Sequence, residues 1–232
     1  MKGCSATCSM CDICTRSIED ILIGEDTMHI PSCETAELCL PDFETALKDA
    51  LLPNDRYDVR RWLYVPNQYA EYRYILGTRG QNPLICMGIN PSTAAPDALD
   101  NTLKSVERIA LFNGYDCFLM FNVYAQRATR PDDMEQRCNL TLHRENMKAF
   151  DYALSLSPQE QPAVWAAWGA IIEKRGYLSD CVRDMVELGK KRGAKWFCAG
   201  QRSKAGHPHH PLYLRKNSAL EAFDIDSYLN AR

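Results

Sequence analysis

What this 232-residue chain lacks narrows its class before any motif is read. No apolar run approaches the roughly 18 residues that cross a bilayer, and the N-terminus lacks the basic-then-apolar order of a signal peptide. A membrane role is therefore not expected, and a cytoplasmic location is. No internal repeat and no low-complexity tract interrupts the sequence, so one compact fold with an extension suits its length. Basic residues are scarce over positions 1–50, where Lys2, Arg16 and Lys48 are outnumbered by acids, so that end should not contact nucleic acid.

Cysteine, by contrast, is plentiful, with 11 residues. Without an export signal these thiols are expected to stay reduced or to bind metal rather than form disulfides. Cys4, Cys8, Cys11 and Cys14 stand at C-x3-C-x2-C-x2-C spacing. Four thiolates that close could complete a tetrahedral zinc site or hold an iron–sulfur cluster, the alternative being a reduced tail. Cys86, Cys117 and Cys198 lie in strand patterns and read as core.

Two regions differ in pattern. Residues 1–55 form a Cys-rich, acidic extension with little periodicity, ending at the linker-like "LLPNDRYD". Residues 56–232 read as one α/β domain. There "YRYIL" (72–76) suggests an edge strand, "PLICMGI" (83–89) and "DCFLMFNV" (116–123) buried strands, and "AVWAAWG" (163–169) and "KWFCAG" (195–200) two more. Helices are expected over 101–114, 138–156, about 178–192 and about 219–230. Asp100 suits the first cap of 101–114 and Gly114 its end. Short apolar strands alternating with helices predict a three-layer α/β/α sandwich around a mostly parallel sheet.

In such a sheet, ligands bind beyond the carboxyl ends of the strands. Asn90 follows the first buried strand in "GINPST", Asn122 ends the second, Trp168 and Gly169 follow the third, and the loop "GHPHHPLY" follows the fourth. These groups should line one rim of the sheet. Arg127 and Arg130, just after Asn122, are candidates for a phosphate contact or a loop salt bridge. The acid-free stretch 190–216, with Lys190, Lys191, Arg192, Lys195, Arg202, Lys204, Arg215 and Lys216, is a candidate phosphate-facing surface or a solvated one.

Taken in order over about 84–223, these segments resemble the uracil-DNA glycosylase superfamily. "GINP" looks like its water-positioning motif and "FLMFNV" like the strand ending in its base-reading Asn. "AVWAAWGA" and "HPLYL" are similar to its third strand and its His-Pro loop. Nearly all of 69–223 also resembles an uncharacterised bacterial family with the pattern "NPSTA…DNT…NVYAQRAT…HPLYL", which implies a fold and a site but no reaction. The glycosylase resemblance implies that Asn90 orients a water, Asn122 pairs with a base edge, and His210 donates to the base carbonyl as charge develops. Pro91, Ser92, Thr93, Arg127, Trp168, Gly169, Pro211 and Tyr213 would complete substrate binding. The α/β domain would need no cofactor of its own.

The sequence departs from that pattern in two places. Ser92-Thr93 stand where those families carry Gly or an aromatic, and Leu212-Tyr213 where a small Ser is usual. A helix start near Asp100-Asn101-Thr102 could instead receive a phosphate, although Asp97 and Asp100 would repel it unless a metal sat between them. Expected partners are therefore a nucleic acid, single strands included, or a free nucleotide or nucleobase. A binding module without catalysis and a metal-binding sensor or defence protein are the alternatives.

Overall fold

The computed structural model describes residues 28–158 and 161–232. The cysteines at 4, 8, 11 and 14 lie outside the described residues. The described chain is an α/β fold built on one seven-stranded sheet, with strands β1 (Trp62–Val65), β2 (Ile75–Thr78), β3 (Pro83–Gly88), β4 (Cys117–Asn122), β5 (Ala163–Ala166), β6 (Lys195–Ala199) and β7 (Leu220–Ala222) in the order β1-β2-β4-β3-β5-β6-β7. The four central strands are parallel, as the alternating pattern predicts. The edges are antiparallel: β1 on β2, β2 on β4, and β7 on β6. Every residue of β3 and β4 is buried, as strands covered on both faces require.

The helices are α1 (Phe43–Ala50), α2 (Asn101–Phe112), α3 (Leu140–Ser155), α4 (Gly176–Lys191) and α5 (Ile225–Asn230). One core gathers the Ile85, Met87, Phe121 and Val164 side of the sheet with Phe43, Phe150, Met185 and Tyr228, and so seats α1, α3, α4 and α5. The other gathers the Leu84, Cys86, Phe118 and Trp165 side with Leu103, Val106 and Ile109 of α2. Asp100 caps α2 by accepting from the Leu103 N–H at 2.8 Å, and Gly114, at φ +83°, follows its end. Among the described residues no helix is long and apolar enough to cross a membrane.

Several local expectations are corrected. The segment 219–230 is not one helix, because 220–222 pairs with β6 before α5 begins. Strand β1 arises in a stretch of the domain where no element was expected, and helix α1 within the aperiodic extension. Asp42 caps α1 through the Thr45 N–H at 2.8 Å, and Phe43, Ala46 and Ala50 pack into the main core. Two buried carboxylates hold this segment down: Glu135 accepts from Thr35 N–H at 3.0 Å, and Glu145 from Phe43 N–H at 2.9 Å. Residues 28–50 thus pack onto the α/β core.

The connection from β3 runs through α2 on one face, and those from β4 and β5 run through α3 and α4 on the other. The strand order therefore reverses at β3 and β5, and the crevice at their carboxyl ends is where this topology places a ligand.

Candidate functional site

Three segments converge at that crevice. Beyond β3, Asn90 turns its amide nitrogen onto two carbonyls, Ala128 O at 2.6 Å and Pro91 O at 3.1 Å. Only the nitrogen end of an amide can serve two acceptors, so its carbonyl oxygen is left as the end available to a water. Beside it, Gly88 and Asn122 are register partners on β3 and β4. A Cβ on Gly88 would stand 3.0 Å from Asn122 Oδ1 and 2.6 Å from Met120 Cε, so the glycine is what lets the Asn122 amide lie across the neighbouring strand. Asn122 is 1% exposed, yet among the described residues neither Oδ1 nor Nδ2 has a hydrogen-bond partner. Its main chain, by contrast, is fixed: Asn146 donates to Asn122 O at 3.0 Å and Val123 O at 3.3 Å. An amide positioned this firmly and left unpaired costs roughly 1–3 kcal/mol, and such groups concentrate where a ligand supplies the missing partners.

His210 reaches the crevice from the loop after β6. Gly169, at φ +63° just past β5, brings the chain to within 3.5 Å of the His210 Cβ, measured from a Cβ built on the glycine. Ser105 of α2 donates to Pro211 O at 2.9 Å and ties the loop to the helix. His210 Nδ1 accepts from Leu212 N–H at 3.3 Å, so the ring proton belongs on Nε2, which is left as a donor. Burial holds the imidazole below its ordinary pKa, opposed by Asp100, and so favours the neutral tautomer. His207 and His209 point elsewhere. His207 is buried against Tyr228 and Glu173, and His209 bonds Gln201 O. Among the described residues no three His, Cys, Asp or Glu side chains form a group able to hold a metal.

The loop 90–94 is held from beneath by two arginines. Arg127, 0% exposed, reaches Ser92 O and Ala94 O through Nη1 and Tyr64 OH through Nη2 at 3.0 Å. Its guanidinium lies 4.2 Å from the centre of the Tyr69 ring. Arg73, 1% exposed, donates to the same Ala94 O at 2.9 Å. The two meet because 71–73 runs beside 125–127, with Arg73 N–H on Ala125 O and Arg127 N–H on Glu71 O. Ser92 Oγ lies 3.0 Å from Thr129 Oγ1, and Thr129 in turn bonds His29 of the N-terminal segment. Pro91 is buried, and Thr93 is half-buried.

Not every expected residue belongs here. Trp168 is fully buried in the opposite core, edge-on or tilted against Trp196, Phe223 and Tyr228, with its indole N–H on Tyr228 OH at 3.0 Å; it continues the alternation of Val164 and Ala166 onto that face, away from the crevice. Tyr213 is 75% exposed and lies beside the His210 ring, at 6.1 Å between centroids. Arg130 is exposed. The basic stretch 190–216 is split: Lys190, Lys191, Arg192 and Lys195 sit where β6 starts, the far end of the sheet from Asn90, with Lys190 paired to Asp226 and Arg192 to Asp151. Asp97 accepts from Trp62 Nε1 at 3.1 Å and pairs with Arg61, and Asp100 caps α2, so neither calls for a bridging metal. Arg73, Gly88, Ser105 and His29 were missed. Only Arg73, a charge inside an apolar strand pattern, left a signal in the sequence.

No curated protein and no solved structure matches the chain. Residues 73–212 match the family model described as "Protein of unknown function (DUF1643)". The matched span runs from Arg73 through Asn90, Asn122 and Arg127 to His210, and covers more than half of the sequence; the chain belongs to this DUF1643 family.

Proposed function

We propose that the protein is a nucleobase-acting hydrolase, of the uracil-DNA-glycosylase type in its arrangement, that breaks an N-glycosidic bond. The observation that carries this reading is the Asn122 amide: buried, positioned by Gly88 and Asn146, and without a partner among the described residues on either its donor or its acceptor. A nucleobase edge offers the complementary donor–acceptor pair in one plane. In the reaction a water oxygen bonds C1′ as the C1′–N bond breaks, and the bond's electron pair leaves with the base. Asn90 orients that water through its free carbonyl oxygen but cannot take its proton, which passes to solvent. His210 meets the charge growing on the base with Nε2–H, and staying neutral suits a donor that stabilises rather than protonates.

The test is to incubate the protein and an Asn90→Ala variant with single- and double-stranded oligonucleotides bearing uracil, hypoxanthine or mismatched bases, then to cleave and count abasic sites. Abasic sites that depend on Asn90 support the reading; none on any substrate would leave a binding role.

A further inference from the structure

Arg73 and Arg127 share an acceptor, Ala94 O, and are both almost completely buried, yet neither takes part in an ion pair among the described residues. Two guanidinium groups this close, out of water and without a carboxylate on either, are an arrangement proteins rarely keep unless something anionic arrives. Asp100 is the acid that acts on Arg73 from a distance, and its own carboxylate is occupied with the Leu103 N–H. Burial, and after it the neighbouring Arg127, push Arg73 down to about 9 against the opposing pull of Asp100. Donors also remain unspent. Among the described residues Nε of both arginines is buried without a partner, and the Arg73 side chain makes one hydrogen bond, through Nη1.

We infer that the ligand of the crevice carries a phosphate monoester, and that Arg73 and Arg127 supply its counter-charge through the loop 90–94 that they hold. A dianion balances the pair, and with both side chains at most 1% exposed their charge acts across the loop, where little water screens it, rather than by direct contact. This rests on the base-reading site proposed above, and narrows its substrate to a nucleoside monophosphate or the phosphorylated end of a strand rather than a neutral nucleoside.

Calorimetric titration of the wild-type protein with the common deoxynucleosides and deoxyuridine, their 5′-monophosphates, 5′-phosphorylated trinucleotides and inorganic phosphate tests it without relying on any variant's folding. At least one monophosphate or phosphorylated trinucleotide should bind about 10- to 100-fold tighter than its nucleoside, as expected when a dianion meets two poorly screened positive charges one loop away. Which of the two binds tighter identifies the source of the phosphate. In Arg73→Gln that advantage should collapse, while Asn122→Leu should weaken nucleoside and nucleotide alike. A nucleoside that binds as well as its monophosphate in an Asn122-dependent way would overturn the phosphate inference and leave the base-reading site standing. Monophosphates that bind no better than inorganic phosphate, and are indifferent to Asn122, would do the reverse. Absence of binding by every phosphorylated probe would refute the inference outright.

Discussion

Replacing Asn122 with leucine should make the protein more stable and abolish its function. Leucine has nearly the shape of asparagine, so it fits the space that Gly88 leaves on the neighbouring strand. The substitution removes an amide that is 1% exposed and unpaired at both atoms. An unsatisfied buried polar group costs about 1–3 kcal/mol, so its removal should raise stability by about that much, with the lower end applying where water pairs part of the amide in the free protein. For a chain of this size each kcal/mol moves Tm by about 2–4 °C. Asn146→Leu is the internal control at the same strand end: its amide nitrogen donates to Asn122 O and Val123 O, while its Oδ1 is buried without a partner among the described residues, so removing it should still lose stability, by about 1 kcal/mol net. Thermal and urea unfolding of the two variants beside the wild type provide the comparison. A destabilisation of Asn122→Leu comparable to that of Asn146→Leu would refute the reasoning, because the amide would then be a structural group rather than one kept for a ligand.

Gly88→Ala should retain the fold, since the flexible Met120 terminus can yield, but displace the Asn122 amide; circular dichroism should be unchanged while ligand binding falls. Ser105→Ala removes the bond to Pro211 O and should cost about 1 kcal/mol in denaturant unfolding, with loss of activity through the loosened His210 loop. The folded pKa of His210 lies below its unfolded 6.5, so between those values the unfolded chain binds more protons. Stability should fall as pH drops below 6.5, and His210→Gln should flatten that part of the profile. Elemental analysis of the full chain should find zinc or iron that disappears when Cys4, Cys8, Cys11 and Cys14 are replaced by serine.

Where local chemistry decides structure, the sequence was legible. β3 and β4 are apolar at nearly every position, and α2 announces itself through the Asp100 cap and Gly114. What escaped depends on distant partners. "ALEAF" carries helix-forming residues, but an open edge of β6 recruits 220–222 as a strand. Four residues suffice for β1 only because β2 lies alongside. At the site, Asn90, Asn122 and His210 could be placed from strand ends alone, since parallel strands deliver their carboxyl ends to one rim. The face that receives Trp168 was legible too, since it keeps the alternation of Val164 and Ala166 into the same core; placing it on the rim overlooked that period. The Arg73–Arg127 contact was not, because its members are far apart in sequence and meet through irregular pairing after two different strands.

The most direct test of the central claim is to measure free base released from candidate nucleotides and oligonucleotides in 18O-labelled water, by chromatography and mass spectrometry. The account predicts release of an intact base with the label entering the sugar, slowed about 10²–10³-fold in Asn90→Ala and His210→Ala, the usual cost of losing one positioned polar group. No base released from any substrate, or release unaffected by either substitution, would contradict it.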